Sequence, residues 1–240
     1  MSKNFTAVTF TTSGYSHFTL NLIQSIEINN VELDLKVFCL DKQSFEVISK
    51  KHNNSEYFES KHHDGSDKLL KFDTKGNKEN PFNRIMISKF EIIHSSLNNF
   101  DNVLYVDSDI VIKKNIENKL LTSLGRKDIL FQNDKRPSKP NQINLCAGFM
   151  LIKKNKKTLN FFNPEKLPIE KIIGYVAHDQ TYINRNKAKF NYGVLALDDF
   201  PNGPHFYNHK DKLSPYIIHF NFLLGENKQD EMKKYNEWYI

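Results

Sequence analysis

The sequence predicts an α/β domain with a central, mostly parallel β-sheet flanked by helices. Three observations predict it. Apolar runs of strand length alternate with segments whose apolar residues recur at helical spacing. Val103-Leu104-Tyr105-Val106 is apolar on both faces, as a central parallel strand covered by helices is. The chain has 240 residues, 39% of them hydrophobic, enough to bury a sizeable core. No repeat, low-complexity tract or linker breaks the pattern, so residues 1–240 read as a single domain.

The elements follow in order. Phe5 to Phe10 is an apolar and β-branched run that ends in the turn composition Thr11-Thr12-Ser13-Gly14, and reads as the first strand. Phe18, Leu22, Ile23 and Ile26 recur at helical spacing, and Asn29-Asn30 closes that helix. Leu33 to Leu40 reads as a second strand and Gln43 to Lys51 as a second helix. Residues 52–83, rich in His, Asn, Asp, Lys and Gly, read as a loop region with one short strand around Tyr57. Ile85, Phe90, Ile93 and Leu97 mark a helix from Arg84 to Asn98-Asn99, before the Val103 strand. Ile129 to Gln132 and Gly148 to Ile152 read as strands joined by a polar, proline-containing loop at 133–143. Residues 169–186 read as helical around His178-Asp179-Gln180, and Val194 to Leu197 and Tyr216 to Phe220 as late strands.

Composition excludes several classes. The net charge is +6, but arginine occurs only at Arg84, Arg126, Arg136 and Arg185. Readers of nucleic acid rely on arginine forks, so no nucleic-acid partner is expected. The abundance of lysine with asparagine needs no functional cause. Two cysteines exclude a disulfide-stapled mini-protein and a cysteine-based zinc site, and Cys39 and Cys146 lie in apolar runs as buried free thiols. There is no run of about 18 apolar residues and no apolar leader, so the expectation is a cytoplasmic protein without a transmembrane segment.

The sharpest chemical feature is Asp107-Ser108-Asp109, directly after the Val103–Val106 run. On an extended chain residues i and i+2 point the same way, so both carboxylates would leave the strand end together. No lysine stands beside them in the sequence, so a cation is expected between them. Oxygen ligands of this kind suit Mg²⁺ or Mn²⁺. An EF-hand loop starting at Asp107 would need Gly sixth and Glu twelfth; Ile112 and Asn118 stand there. A haloacid-dehalogenase-like phosphatase also places two aspartates after an apolar strand, and Asp198-Asp199 would supply its later acidic pair. It carries the motif on its first strand, however, and here a βαβα unit precedes it.

Five landmarks occur in order: Asn102-Val-Leu-Tyr-Val-Asp107-Ser-Asp109, Cys146-Ala-Gly148-Phe-Met, His178-Asp-Gln180-Thr-Tyr-Ile-Asn184, Phe200-Pro-Asn-Gly203, and Ile218-His219-Phe220 with Gly225 and Lys228 beyond. Over nearly the whole chain this series resembles the metal-dependent nucleotide-sugar glycosyltransferases of the GT-A fold, in the glycogenin-like and galactosyltransferase-like set. Cys146 stands where that family often has Asn, and Gly225 follows His219 by six residues rather than three.

The resemblance implies a GT-A fold, a nucleoside-diphosphate sugar donor of the UDP-sugar type, and Mn²⁺ or Mg²⁺ as cofactor. The acceptor would be a glycan, a protein or a small molecule. Thr11, Thr12 and Tyr15 would lie at the nucleotide base, and Arg84 and Lys89 would reach donor hydroxyls or phosphate unless they lie along the surface. Asp109 and His219 would ligate the metal. Asp107 would bind metal or ribose beside Ser108, and Gly225 and Lys228 would meet the diphosphate. Asp179 and Gln180 would line the sugar pocket. If the reaction inverts, Asp179 would be the base; if it retains, Gln180 would lie near the anomeric carbon. A helix cap is the structural alternative for Asp179, and Trp238 is a candidate cover for the acceptor site. The phosphatase and a catalytically silent nucleotide-sugar binder remain as competing functions.

Overall fold

In the computed structural model, which describes residues 5–62, 81–136, 138–139, 141–169, 172 and 178–240, the first strand is β1 (Thr6–Thr11). There follow α1 (Ser16–Ile28), β2 (Leu35–Cys39), α2 (Lys42–Ser49), β3 (Ser55–Tyr57), α3 (Pro81–Asn99) and β4 (Asn102–Val106). The middle of the chain carries β5 (Ile110–Ile112), α4 (Glu117–Leu124), β6 (Ile129–Asn133), β7 (Leu145–Lys153) and α5 (Lys156–Phe162). The remainder carries α6 (Asp179–Asn186), β8 (Tyr192–Val194), α7 (Gly203–His209), β9 (Ile217–His219) and α8 (Glu226–Lys234).

The main sheet has the order β3-β2-β1-β4-β7-β6-β8. Its β3–β2, β2–β1, β1–β4 and β6–β8 pairings are parallel, whereas β7 runs antiparallel to both β4 and β6. The mostly parallel expectation therefore holds with one strand reversed. The reason is the short 134–144 connection, whose described residues hold no crossover helix to return the chain to the same sheet end.

Strand alternation divides the core into two layers. Val103 and Tyr105 of β4 face a cluster with Phe90, Ile93, Phe161 and Phe162, which belongs to α3 and α5. Leu104 and Val106 face the opposite cluster, with Leu22, Val37 and Leu120 from α1, β2 and α4. Each such side chain contributes about 1.5–3 kcal/mol on burial. Both faces of β4 are covered, as its unbroken apolar run predicts.

Three differences from the sequence reading bear on the site. α3 begins at Pro81 rather than Arg84, which fits the preference of proline for a first helical turn. The last strand of the main sheet is Tyr192–Val194, not Val194–Leu197. A second, two-stranded antiparallel sheet joins β5 to β9, a long-range pairing that local patterning does not reveal. Parts of the 52–83 and 169–186 readings lie outside the described residues.

Candidate active site

β1 lies between β2 and β4 and is parallel to both: the chain runs outwards from β1 through β2 to β3 and then crosses back to β4 on the other side. Such a reversal leaves a crevice at the carboxyl ends of the strands. The crevice here is lined by Thr11 at the end of β1, by Thr12 and Tyr15 just after it, and by Asp107, Ser108 and Asp109 beyond β4. Lys228 of α8 enters from one side, and Phe82, Ile85 and Met86 of α3 form an apolar wall. The Asp-Ser-Asp segment is a turn, with the Ile110 N–H donating to the Asp107 carbonyl over 3.3 Å. Simple i, i+2 alternation on an extended chain is thus the wrong local geometry; the turn and the strands beside it bring the carboxylates together.

The small sheet brings the third member. Ile110 pairs with His219 in the β5–β9 register, and the Phe220 N–H donates to the Asp109 carbonyl. His219 Nε2 then lies 3.2 Å from Asp109 Oδ1. One ligand atom from each of Asp107, Asp109 and His219 falls within 4.8 Å of the others. Two carboxylates and an imidazole are a fitting donor set for Mn²⁺ or Mg²⁺. The neighbouring backbone leaves room for them only because residue 148 has no side chain. A Cβ on Gly148 would lie 2.4 Å from Asp107 Oδ2 and 2.6 Å from His219 Cε1.

The carboxylates are not without lysines, contrary to what their sequence neighbours suggest. Lys228 Nζ donates to Asp109 Oδ2. Lys89 is buried at 2% exposure, not lying along the surface, and its Nζ sits 2.5 Å from Asp179 Oδ2 and 3.4 Å from Asp107 Oδ1. It also donates to the Ala147 carbonyl and lies over the Tyr105 ring. Burial pushes the Asp109 carboxyl up, but Lys228 and His219 outweigh it and hold the group well below the usual carboxylate range. Asp179 behaves in the same way: burial raises it, and Lys89 and His178 bring it well below. Burial, with Asp109 and Asp107, keeps the Tyr15 phenol protonated far above its ordinary range.

Asp179 is the first residue of α6, and the cap position belongs to His178, so the helix-cap alternative does not hold. Gln180 and Asn184 instead fasten α6 to β7. Gln180 Oε1 accepts from the Ala147 N–H, while Asn184 accepts from the Leu145 N–H and donates to the Leu145 carbonyl. β4 pairs with β7 only from Asn102–Lys153 to Val106–Phe149. The side chains of α6 therefore satisfy β7 backbone that reaches beyond β4. Gln180 Nε2 meanwhile donates to Asp134 Oδ2.

Several predicted residues lie elsewhere. Arg84 is exposed and is not part of the crevice lining formed by its neighbours Phe82 and Ile85. Gly225 acts through backbone: its φ of 58° and ψ of −135° start α8, three residues before Lys228. Trp238 packs on His17 and edge-on to Phe18. Cys39 and Cys146 are buried and free, as expected, and burial pushes the Cys39 thiol up to about 12. Asp198 pairs with His205 and Asp199 with Lys119, so neither supplies the acidic pair of the phosphatase alternative. Sequence reasoning passed over Tyr105, Gln132 and Asp134. Tyr105 donates to Asp107, and Asp134 accepts from Gln180, Asn144 and Asn221. Their signal was polar groups at the ends of otherwise apolar strands.

The strand order, with its crevice at the ends of β1 and β4, is that of the GT-A fold. The family model described as nucleotide-diphospho-sugar transferase matches residues 34–232, and the chain belongs to that family. It is 23% identical to the UDP-galactose:fucoside alpha-3-galactosyltransferase of Dictyostelium discoideum, over 95% of this chain and 42% of that protein. The chain therefore spans less than half the length of that relative. Among solved structures, it resembles the apo bifunctional glycosyltransferase WbbM with a TM-score of 0.59 at 15% identity, over 99% of this chain and 52% of that one. It resembles the galactosyltransferase LgtC with donor and acceptor sugar analogues with a TM-score of 0.56 at 11% identity, over 89% of this chain and 86% of that one. The glycosyltransferase GlyE of Streptococcus pneumoniae TIGR4 gives a TM-score of 0.57 at 14% identity, over 100% of this chain and 65% of that one. Among the described residues no helix is long and apolar enough to cross a membrane.

Proposed function

We propose that the chain transfers a glycosyl group from a UDP-sugar to an acceptor hydroxyl on a glycan, protein or small molecule, with Mn²⁺ or Mg²⁺ as cofactor. The observation that carries this reading is the convergence of Asp107, Asp109 and His219 at the crevice where β1 and β4 end. The UDP assignment draws on the name of the Dictyostelium relative. Asp109, His219 and Asp107 would hold the cation, whose chemistry is Lewis-acid stabilisation of the charge that develops on the departing diphosphate.

The chain's own residues supply the rest. Thr11, Thr12 and Tyr15 form the part of the crevice assigned to the base, where the neutral Tyr15 ring offers a stacking surface. Lys228 borders the same crevice and adds a positive charge for the diphosphate. In the reaction the bond from the anomeric carbon to the diphosphate oxygen breaks and its electron pair leaves with UDP. The acceptor oxygen forms the new bond, and its proton passes to the diphosphate oxygen that the broken bond frees. A carboxylate as buried, ion-paired and acidic as Asp179 is a weak proton acceptor. We therefore assign Asp179 to holding Lys89 in place between the sugar side and Asp107, and carry no role for the exposed Arg84.

Calorimetry of UDP with Mn²⁺ and with EDTA tests the metal assignment, and Asp109→Ala should remove the metal-dependent part. Equal UDP affinity under both conditions would sink it. A panel of nucleotide sugars, followed by UDP release, tests transfer. Binding without turnover would favour the silent binder instead.

A further inference from the structure

Gln132 stands near the end of β6, fully buried in an otherwise apolar run. A buried amide in such a run is costly unless all its polar atoms are used. Here they are. Gln132 Nε2 donates to the Pro201 carbonyl at 2.9 Å and to the Phe200 carbonyl at 3.2 Å. Both partners can only accept, so the amide nitrogen must face them and the amide oxygen must face the other way. Gln132 Oε1 lies 2.7 Å from His219 Nδ1. A carbonyl oxygen cannot donate, so the proton of that bond resides on His219 Nδ1. The Cys146 sulfur, at 3.7 Å from the same nitrogen, is a much longer contact, and it already accepts from the Gly148 N–H.

The consequence falls on the other ring nitrogen. In the neutral ring with its proton on Nδ1, the lone pair is on Nε2, the atom 3.2 Å from Asp109 Oδ1. We propose that Gln132 is a positioning residue for the cation site. By accepting from Nδ1–H it fixes both the tautomer and the plane of His219, so that Nε2 presents a lone pair beside the Asp109 carboxylate. The loop carrying Phe200 and Pro201 fixes the direction of the amide, and thereby reaches the site through two hydrogen bonds. This inference rests on the metal-dependent reading above. Outer partners that set a ligand's tautomer in this way change metal affinity by about 10–100-fold.

Two variants separate positioning from packing. Gln132→Met keeps the volume and loses the acceptor. Gln132→Glu disturbs the contacts to Phe200 and Pro201 but keeps an oxygen facing Nδ1, whether the carboxyl is charged or neutral. Mn²⁺ dissociation constants, read from the electron paramagnetic resonance signal of free Mn²⁺, and melting temperatures are measured on both. The expected result is about a 10–100-fold loss of Mn²⁺ affinity in Gln132→Met, with affinity within about threefold of the parent in Gln132→Glu, whatever the two melting temperatures. If Gln132→Met does not fold, the Glu variant decides alone: retained affinity supports the proposal and a loss of tenfold or more overturns it. Unchanged affinity in Gln132→Met overturns it while leaving the metal reading intact. A parent protein that binds no Mn²⁺ overturns both.

Discussion

Lys89 Nζ lies 2.5 Å from Asp179 Oδ2, with the lysine side chain 2% exposed and that of the aspartate 6%. This is a buried ion pair linking the middle of α3 to the start of α6, and its lysine also reaches Asp107 at 3.4 Å. Burial lowers the Lys89 ammonium, but Asp107 and Asp179 outweigh it and hold the group above its ordinary range, so it stays charged. Removing one partner strands the other charge out of water. Lys89→Met should therefore cost about 3–5 kcal/mol of stability, measured by urea denaturation. A cost near zero would mean that water already reaches the pair.

The same pair sets an acid limb. The folded-state pKa of Asp179 is depressed, so its contribution is fully present above the unfolded value of roughly 3.9 and is lost as pH falls through the acid range. Stability should fall from about pH 5 downwards. In Asp179→Asn that fall should be shallower, because the titrating group is gone. Thermal melts between pH 2 and 7 on both proteins decide it, and parallel curves would remove Asp179 as a source of the acid limb.

How much of this was legible in the sequence depends on distance along the chain. The β4 run and the aspartates beyond it are local, and the buried strand is legible from them alone. His219 was found by its place in an ordered series, but the pairing that delivers it joins β5 to β9, more than a hundred residues apart. Lys89 was ambiguous because its partner Asp179 is ninety residues away, and no local pattern tells a buried paired lysine from an exposed one. The Asp-Gln-x-x-x-Asn series was recognised as a site motif. Its visible work in the structure is to tie α6 to the backbone of β7, a task of side chains one helical turn apart. Gln132 had a local signal, an amide inside an apolar strand, that only the positions of Phe200 and Pro201 make meaningful.

Gly148 makes the next case. Its missing side chain leaves room for Asp107 Oδ2 and His219 Cε1, which a Cβ would meet at 2.4 and 2.6 Å. Neither is the loose end of a long flexible chain, so both must move. Gly148→Ala should weaken Mn²⁺-dependent UDP binding by about tenfold or more, at least the effect of losing an outer partner of a ligand. Calorimetry with and without Mn²⁺ reads this, and an unchanged metal-dependent affinity would show that the site relaxes freely around the methyl group.

Gly225 offers a different test, because it acts at a distance through backbone alone. Its φ of 58° with ψ of −135° lies where residues with a Cβ are strained by about 1–3 kcal/mol. The Lys228 N–H donates to the Gly225 carbonyl, so this turn fixes where α8 starts and where Lys228 points. Lys228 in turn lines the crevice and pairs with Asp109. If the glycine serves chiefly to aim that lysine, Gly225→Ala and Lys228→Ala should weaken UDP binding by the same mechanism. The double variant should then bind UDP no worse than Lys228→Ala, a coupling that a double-mutant cycle measures directly. Additive losses would mean that Gly225 shapes the crevice independently of Lys228, through the Phe222–Leu224 segment that precedes it.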